Sequence, residues 1–257
     1  MKKNNSKSAE KFYQKAKKYY LNALDIMESS NGHMDDKRAL KVKENFNKSV
    51  EYLNKALDVL EDNAAIANTN LLLGCVYIEL EEYENAKESL VDSVVEYTLL
   101  SKEYPQKYDL DLAQTCSYLG ECLSNLKINE LELKNEIALE LTFKLADRGI
   151  FTPVTTESSM FEIEIPENFS ECLEIQECGN AESFYFKAIE IYSKLANDNP
   201  AEYEPHLASG YYELVIFYTN LNRQQDANLY LEKAYEIAKK HKDNPFCQII
   251  CKMVEDN

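Results

Sequence analysis

Residues 70–93 read NLLLGCVYIELEEYENAKESLVDS, and the spacing inside this stretch decides the fold. Asn70, Leu73, Gly74 and Tyr77 fall at i, i+3, i+4 and i+7, one face of a helix. After the polar break at Glu81-Glu82, Ala86, Leu90 and Ser93 open a second helical face. The text recurs at residues 211–234 as Tyr211, Leu214-Val215 and Tyr218, then Ala227, Leu231 and Ala234. A third copy begins at Cys116, Leu119-Gly120 and Leu123, lacks its second half where that is due, and resumes at Ala181, Tyr185 and Ala188. Gly74 to Gly120 is 46 residues, and Gly120 to Val215 is 95, an excess of 49 over one period. Gly74 to Ala86 is 12 residues and Gly120 to Ala181 is 61, again an excess of 49. The third copy is therefore a helix pair split by an insertion. Residues 104–113 and 199–208 also align at a shift of 95, sharing Pro, Tyr and Leu-Ala.

Helices that repeat small and large residues in this way pack closely as antiparallel pairs. Gly74 and Gly120 let the facing helix approach; Ala86, Ala181 and Ala227 are expected opposite, with Tyr77, Leu90, Tyr185 and Leu231 filling the gaps alongside. The pattern resembles the tetratricopeptide repeat family, whose signature is aromatic-x2-Leu-Gly-x2-Tyr followed by Ala-x3-Phe-x2-Ala. The resemblance covers residues 17–126 and 180–241, and the 46-residue period is similar to the long-repeat bacterial members. It implies an all-α fold, a right-handed α–α superhelix of about four helix pairs, with one insertion patterned like a small β-hairpin. The expected organisation is 1–126 for the N-terminal repeats and the first helix of the third pair, 127–179 for the insertion, and 180–257 for the remaining repeats and a capping helix. The first pair is degenerate, with Tyr20, Ala23-Leu24 and Met27 in its first helix and Ser49, Leu53 and Ala56 in its second.

In the insertion, Leu133, Ile137, Leu141 and Leu145 share a helical face, whereas Phe161, Ile163 and Ile165 alternate with Glu162 and Glu164, a strand signal. Ile150 to Thr156 could pair with that strand through Glu157-Ser158-Ser159. Between Arg148 and Lys187 there is no Lys, Arg or His but eight Glu: Glu157, Glu162, Glu164, Glu167, Glu171, Glu174, Glu177 and Glu182. Such a segment reads as a solvated flap or as a docking element for a basic partner.

The 257 residues carry 28 Lys and Arg against 45 Asp and Glu, a net charge of −17. Residues 1–20 hold seven Lys and one Glu, net +6, which leaves −23 for the remainder. That balance disfavours direct nucleic-acid binding, although the Lys-rich residues 2–18 could touch an anionic surface. No apolar run is long enough for a signal core or a membrane span. Seven cysteines without an export signal read as reduced thiols of a cytoplasmic protein.

No phosphate-binding glycine loop, dinucleotide fingerprint, His-Glu-x2-His or nucleophile elbow is present. Catalytic residues, cofactor and metal are accordingly expected to be none, with Cys247 and Cys251 on a buried cap face and His206 a helix-start residue. In the family, the first helix of each pair lines a peptide-binding groove. The resemblance carries that role to Leu71, Cys75, Ile78 and Glu79 (with Asn68), to Gln114, Ser117 and Glu121 (with Ser124 and Asn125), and to Tyr212, Ile216 and Asn220 (with Ser209 and Thr219). Members that clamp a C-terminal carboxylate use Lys, Arg and Asn there. None of these fifteen is Lys or Arg, so the expected partner is a protein or peptide with basic and apolar residues. The expected role is a non-enzymatic adaptor or regulator. Its rivals are an acidic decoy on a basic nucleic-acid-binding surface of an enzyme, and an enzyme with a site near Cys172, Cys178 or His206.

Overall fold

Asp35 and Asp62 each start a helix by accepting a backbone N–H three residues on, from Arg38 at 2.7 Å and Ala65 at 2.9 Å. They follow α1 (Lys2–Ser29) and open α2 (Asp36–Leu57) and α3 (Asn63–Glu79). Next come α4 (Tyr83–Glu103), α5 (Pro105–Asn125) and α6 (Glu130–Asp147), a two-residue antiparallel ladder of β1 (Val154–Thr155) and β2 (Phe161–Glu162), then α7 (Ala181–Asp198), α8 (Pro200–Asn220), α9 (Gln224–Ala238) and α10 (Pro245–Glu255). The computed structural model describes residues 2–30, 33–126, 130–148, 154–155, 161–162 and 180–255. The remainder of the expected hairpin and the 163–179 stretch lie outside them. Two compact units are present, Met1–Tyr97 and Thr98–Asn257.

In the first unit α1 packs on α2 and α2 on α3. Ala16, Ala23, Phe46, Leu53 and Val76 form its core, with Tyr20, Leu24 and Met27 against it. Two buried serines tie helices together through backbone carbonyls: Ser49 donates to Ala16 O at 3.0 Å, and Ser93 to Ala67 O at 2.9 Å. Each spares a buried hydroxyl the cost of lying unpaired.

In the second unit α5 packs on α7, α7 on α8, α8 on α9, and α10 closes the end against α8 and α9. The helix joined to α5 is thus α7, across the whole insertion, as a split pair requires. Pro105 and Pro200 occupy the first helical position of α5 and α8, where the missing N–H costs nothing. Asn180 and Ser183 form a capping box that starts α7 after the insertion. At the far end Ala234, Ala238, Cys247, Ile250 and Cys251 make one buried cluster. Along α6, Ile137, Leu141 and Leu145 are buried, the face marked by their four-residue spacing.

What covers each glycine differs from the expectation. A Cβ on Gly74 would fall 2.5 Å from Leu90 Cγ, and one on Gly120 would fall 3.1 Å from the Tyr185 ring. The large side chain, not the alanine four residues before it, sits on the glycine. Ala86, Ala181 and Ala227 are themselves buried. The larger residue wins this place because it fills the notch that the missing side chain leaves, and dense packing favours a filled notch.

Candidate functional site

A cavity of about 380 Å³ lies in the second unit among α5, α7 and α8. From α5 it takes Gln114, Ser117, Tyr118, Glu121, Ser124 and Asn125, at i, i+3, i+4, i+7, i+10 and i+11. From α8 it takes His206, Ser209, Glu213, Ile216, Phe217 and Asn220, a stripe of the same helical period. Tyr185 and Tyr192 of α7 complete the lining, which contains no Lys or Arg.

Glu213 is its most unusual member. The atom Oε2 is buried without a hydrogen-bond partner, and so is Ser117 Oγ. Burial pushes the Glu213 carboxyl up to about 7. The nearby Ser117 hydroxyl pulls it back, though not through a well-formed hydrogen bond, and the charge of Glu121 adds to the rise. Burial, then the Glu213 charge, also drives the phenols of Tyr185 and Tyr192 well above their ordinary range, so both stay protonated. His206 stacks on Tyr192 with centroids 6.0 Å apart, and burial holds its imidazole below the usual value against the opposing charge of Glu202. His206 therefore belongs to the cavity wall as well as to the first turns of α8.

Of the residues expected in a groove, the cavity gathers Gln114, Ser117, Glu121, Ser124, Asn125, Ser209, Ile216 and Asn220. Tyr212 lies off it, its ring edge-on to Phe246 of the cap at 5.7 Å. In the first unit Cys75 is buried, Leu71 and Ile78 are half-buried, and Glu79 borders a separate hollow with Met27, Met34 and Phe46. Of the eight glutamates between Arg148 and Lys187, Glu157, Glu164, Glu167, Glu171, Glu174 and Glu177 lie outside the described residues, as do Cys172 and Cys178. Glu162 is paired with Val154 through the backbone ladder. Glu182 is spent in the fold: its Oε1 accepts from the Tyr218 hydroxyl at 2.6 Å and from Arg223 at 3.1 Å, joining α7 to the end of α8.

Residues 67–94 match the family model of the tetratricopeptide repeat. The match falls on α3 and α4, the uninterrupted pair that carries Gly74 and Leu90. No curated protein matches the chain. Helical repeats of this kind are typical of protein-interaction scaffolds. Among the described residues there is no cluster of His, Cys, Asp and Glu that could hold a metal ion, and no helix long and apolar enough to cross a membrane.

Proposed function

We propose that the chain is a non-enzymatic adaptor or regulator of the long-repeat tetratricopeptide type, which receives a segment of another protein in the α5–α7–α8 cavity. The observation that carries this reading is the cavity itself. Gln114, Ser117, Glu121, Ser209, Ile216 and Asn220, residues to which the repeat pattern assigns partner contact, share one concave surface of ligand-pocket size. The mixture of apolar Ile216 with acidic Glu121 suits a partner that brings basic and apolar groups. On this reading the insertion adds a second contact that steers a basic partner, supported by the seven Glu and no Lys, Arg or His of residues 149–179. The test is crosslinking capture by the intact chain beside a cavity-filled Ser209→Trp variant. The reading expects proteins captured by the first and lost by the second, and equal capture by both would refute it.

A second reading has one observation in its favour: His206 and the raised carboxyl of Glu213 share the cavity, as acid–base chemistry would require. Against it, Ser117 Oγ is not hydrogen-bonded to any base, so no activated nucleophile is assembled. Hydrolysis of a simple activated ester above background, lost in Glu213→Gln, would favour this second reading.

A further inference from the structure

We infer that the α5–α7–α8 cavity is a receptor for one ammonium or guanidinium group, presented on a lysine or arginine side chain of the partner polypeptide. The inference rests on the adaptor reading and specifies which chemistry the cavity takes.

Three features select a cation over other ligands. First, Glu213 Oε2 and Ser117 Oγ are buried acceptors without partners. Each costs free energy until something donates to it, so a ligand that only accepts would leave the carboxylate unsatisfied. Second, the wall carries two carboxylates, Glu121 and Glu213, and neither Lys nor Arg, while burial holds the His206 imidazole below its usual value and so favours its neutral form. An anionic ligand would be repelled, whereas a cation would relieve the mutual repulsion of the two acids. Third, the rings of Tyr118, Tyr185, Tyr192 and Phe217 border the same space. Aromatic faces are electron-rich and attract ammonium and guanidinium groups, more strongly when water is excluded. The size agrees as well: about 380 Å³ stands near the lower end of ligand pockets, which run from about 300 to 1,000 Å³. That is room for one long side chain rather than for a folded surface.

The recognition is also tied to pH. Glu213 shares the cavity with Ser117, Tyr118 and Glu121 from α5, with Tyr185 and Tyr192 from α7, and with His206 from its own helix. None of the lining residues belongs to α9 or α10. The charge that attracts the ligand is complete only above neutrality and is lost as pH falls. Protonation of His206 at lower pH would act in the same direction, by adding positive charge to the wall.

The probes are capped lysine amide and capped arginine amide, with capped norleucine amide as the uncharged counterpart. They are titrated into the full chain and followed by amide chemical shifts. The inference expects both cations to shift resonances of α5 and α8 while norleucine does not. Lysine affinity should fall at least about tenfold between about pH 8.5 and about pH 5.5, in step with carboxyl protonation. Glu213→Gln should lose the cation preference and the pH dependence while keeping a cooperative thermal transition. Absence of shifts with both cations, equal binding of norleucine, or unchanged lysine binding by Glu213→Gln would overturn the inference. The adaptor reading fails separately. If Ser209→Trp loses a captured partner that Glu213→Gln keeps with unchanged affinity, the cation site falls and the adaptor stands. If lysine binds as described and no protein is captured, the reverse holds.

Discussion

Three leucines at the same place in the repeat, Leu80, Leu126 and Leu221, close the first helices α3, α5 and α8. Leu80 has φ −86° and ψ −3°, and Leu221 has φ −82° and ψ 2°. After each, a non-glycine residue takes the left-handed conformation, Glu81 at φ 59° and Asn222 at φ 58°. The next N–H then reaches five residues back, Glu82 to Tyr77 O at 2.9 Å and Arg223 to Tyr218 O at 2.8 Å. This reversal satisfies the last carbonyls and brings the second helix straight back. Leu126 instead has φ −73° and ψ 128°, extended backbone. One torsion at one leucine separates a tight reversal from an exit into the insertion.

Packing register outlasts the connection that interrupts it. Between α3 and α4 three residues intervene, and between α5 and α7 there are 55. A connection longer by about four doublings costs roughly 2–3 kcal/mol more to close, which the burial of Tyr185, Tyr192 and their neighbours exceeds. An ion pair repeats the same measurement. Lys194 reaches Asp109 across 85 residues at 3.4 Å, and Lys240 reaches Glu204 across 36 at 3.2 Å, a difference of 49. The split pair is therefore built like its intact counterpart, and the cavity forms beside it.

The largest loss should follow removal of the side chain that covers each glycine. Leu90→Ala and Tyr185→Ala should each cost about 3–5 kcal/mol in urea unfolding. A loss under about 1 kcal/mol for Tyr185→Ala would mean that the split pair is not closed. Next in size is the buried acid. Because the folded carboxyl of Glu213 is raised from the ordinary range to about 7, its favourable state is the protonated one. Its contribution is complete below about pH 4.5 and is lost as pH rises through about 7, on the order of 3 kcal/mol in all. Glu213→Gln should therefore unfold at higher urea than the parent at about pH 8.5 and match it at about pH 4, with the difference confined to that window. Smaller again, Gly74→Ala should cost about 1–2 kcal/mol, since overpacking against Leu90 outweighs the gain in helix propensity. Gly120→Ala meets ring atoms at 3.1 Å and should cost less. The smallest effect is expected on the cavity when the insertion goes. Deleting 128–176, with Lys127→Asn to suit a left-handed turn, should leave unfolding cooperative and the Glu213 titration unmoved.

Much of this was legible because packing of small on large residues leaves a period in the text. The 46-residue repeat, the excess of 49 and the α6 face of Ile137, Leu141 and Leu145 all follow from spacing. The cavity was half legible. The transferred groove positions run through Ser209, Tyr212, Ile216 and Thr219, whereas α8 presents Ser209, Glu213, Ile216 and Phe217. One residue on a helix turns the side chain by about 100°, enough to move Tyr212 onto Phe246 and bring Glu213 inside. Tyr212 stands in the slot of Ser117 and Glu213 in that of Tyr118, yet α5 and α8 show different edges of the same stripe to the space between them. Only the three-helix arrangement reveals that. The sequence also hides the partners of Glu182, which reads as one of eight surface acids and in fact joins Tyr218 to Arg223.

The most direct test of the account is the titration of the Glu213 side-chain carboxyl in the ligand-free chain, followed by carbon chemical shift and assigned with Glu213→Gln. The account predicts a midpoint at about 7, moving down when capped lysine amide is added. A midpoint in the ordinary carboxylate range, unmoved by the probe, would contradict it.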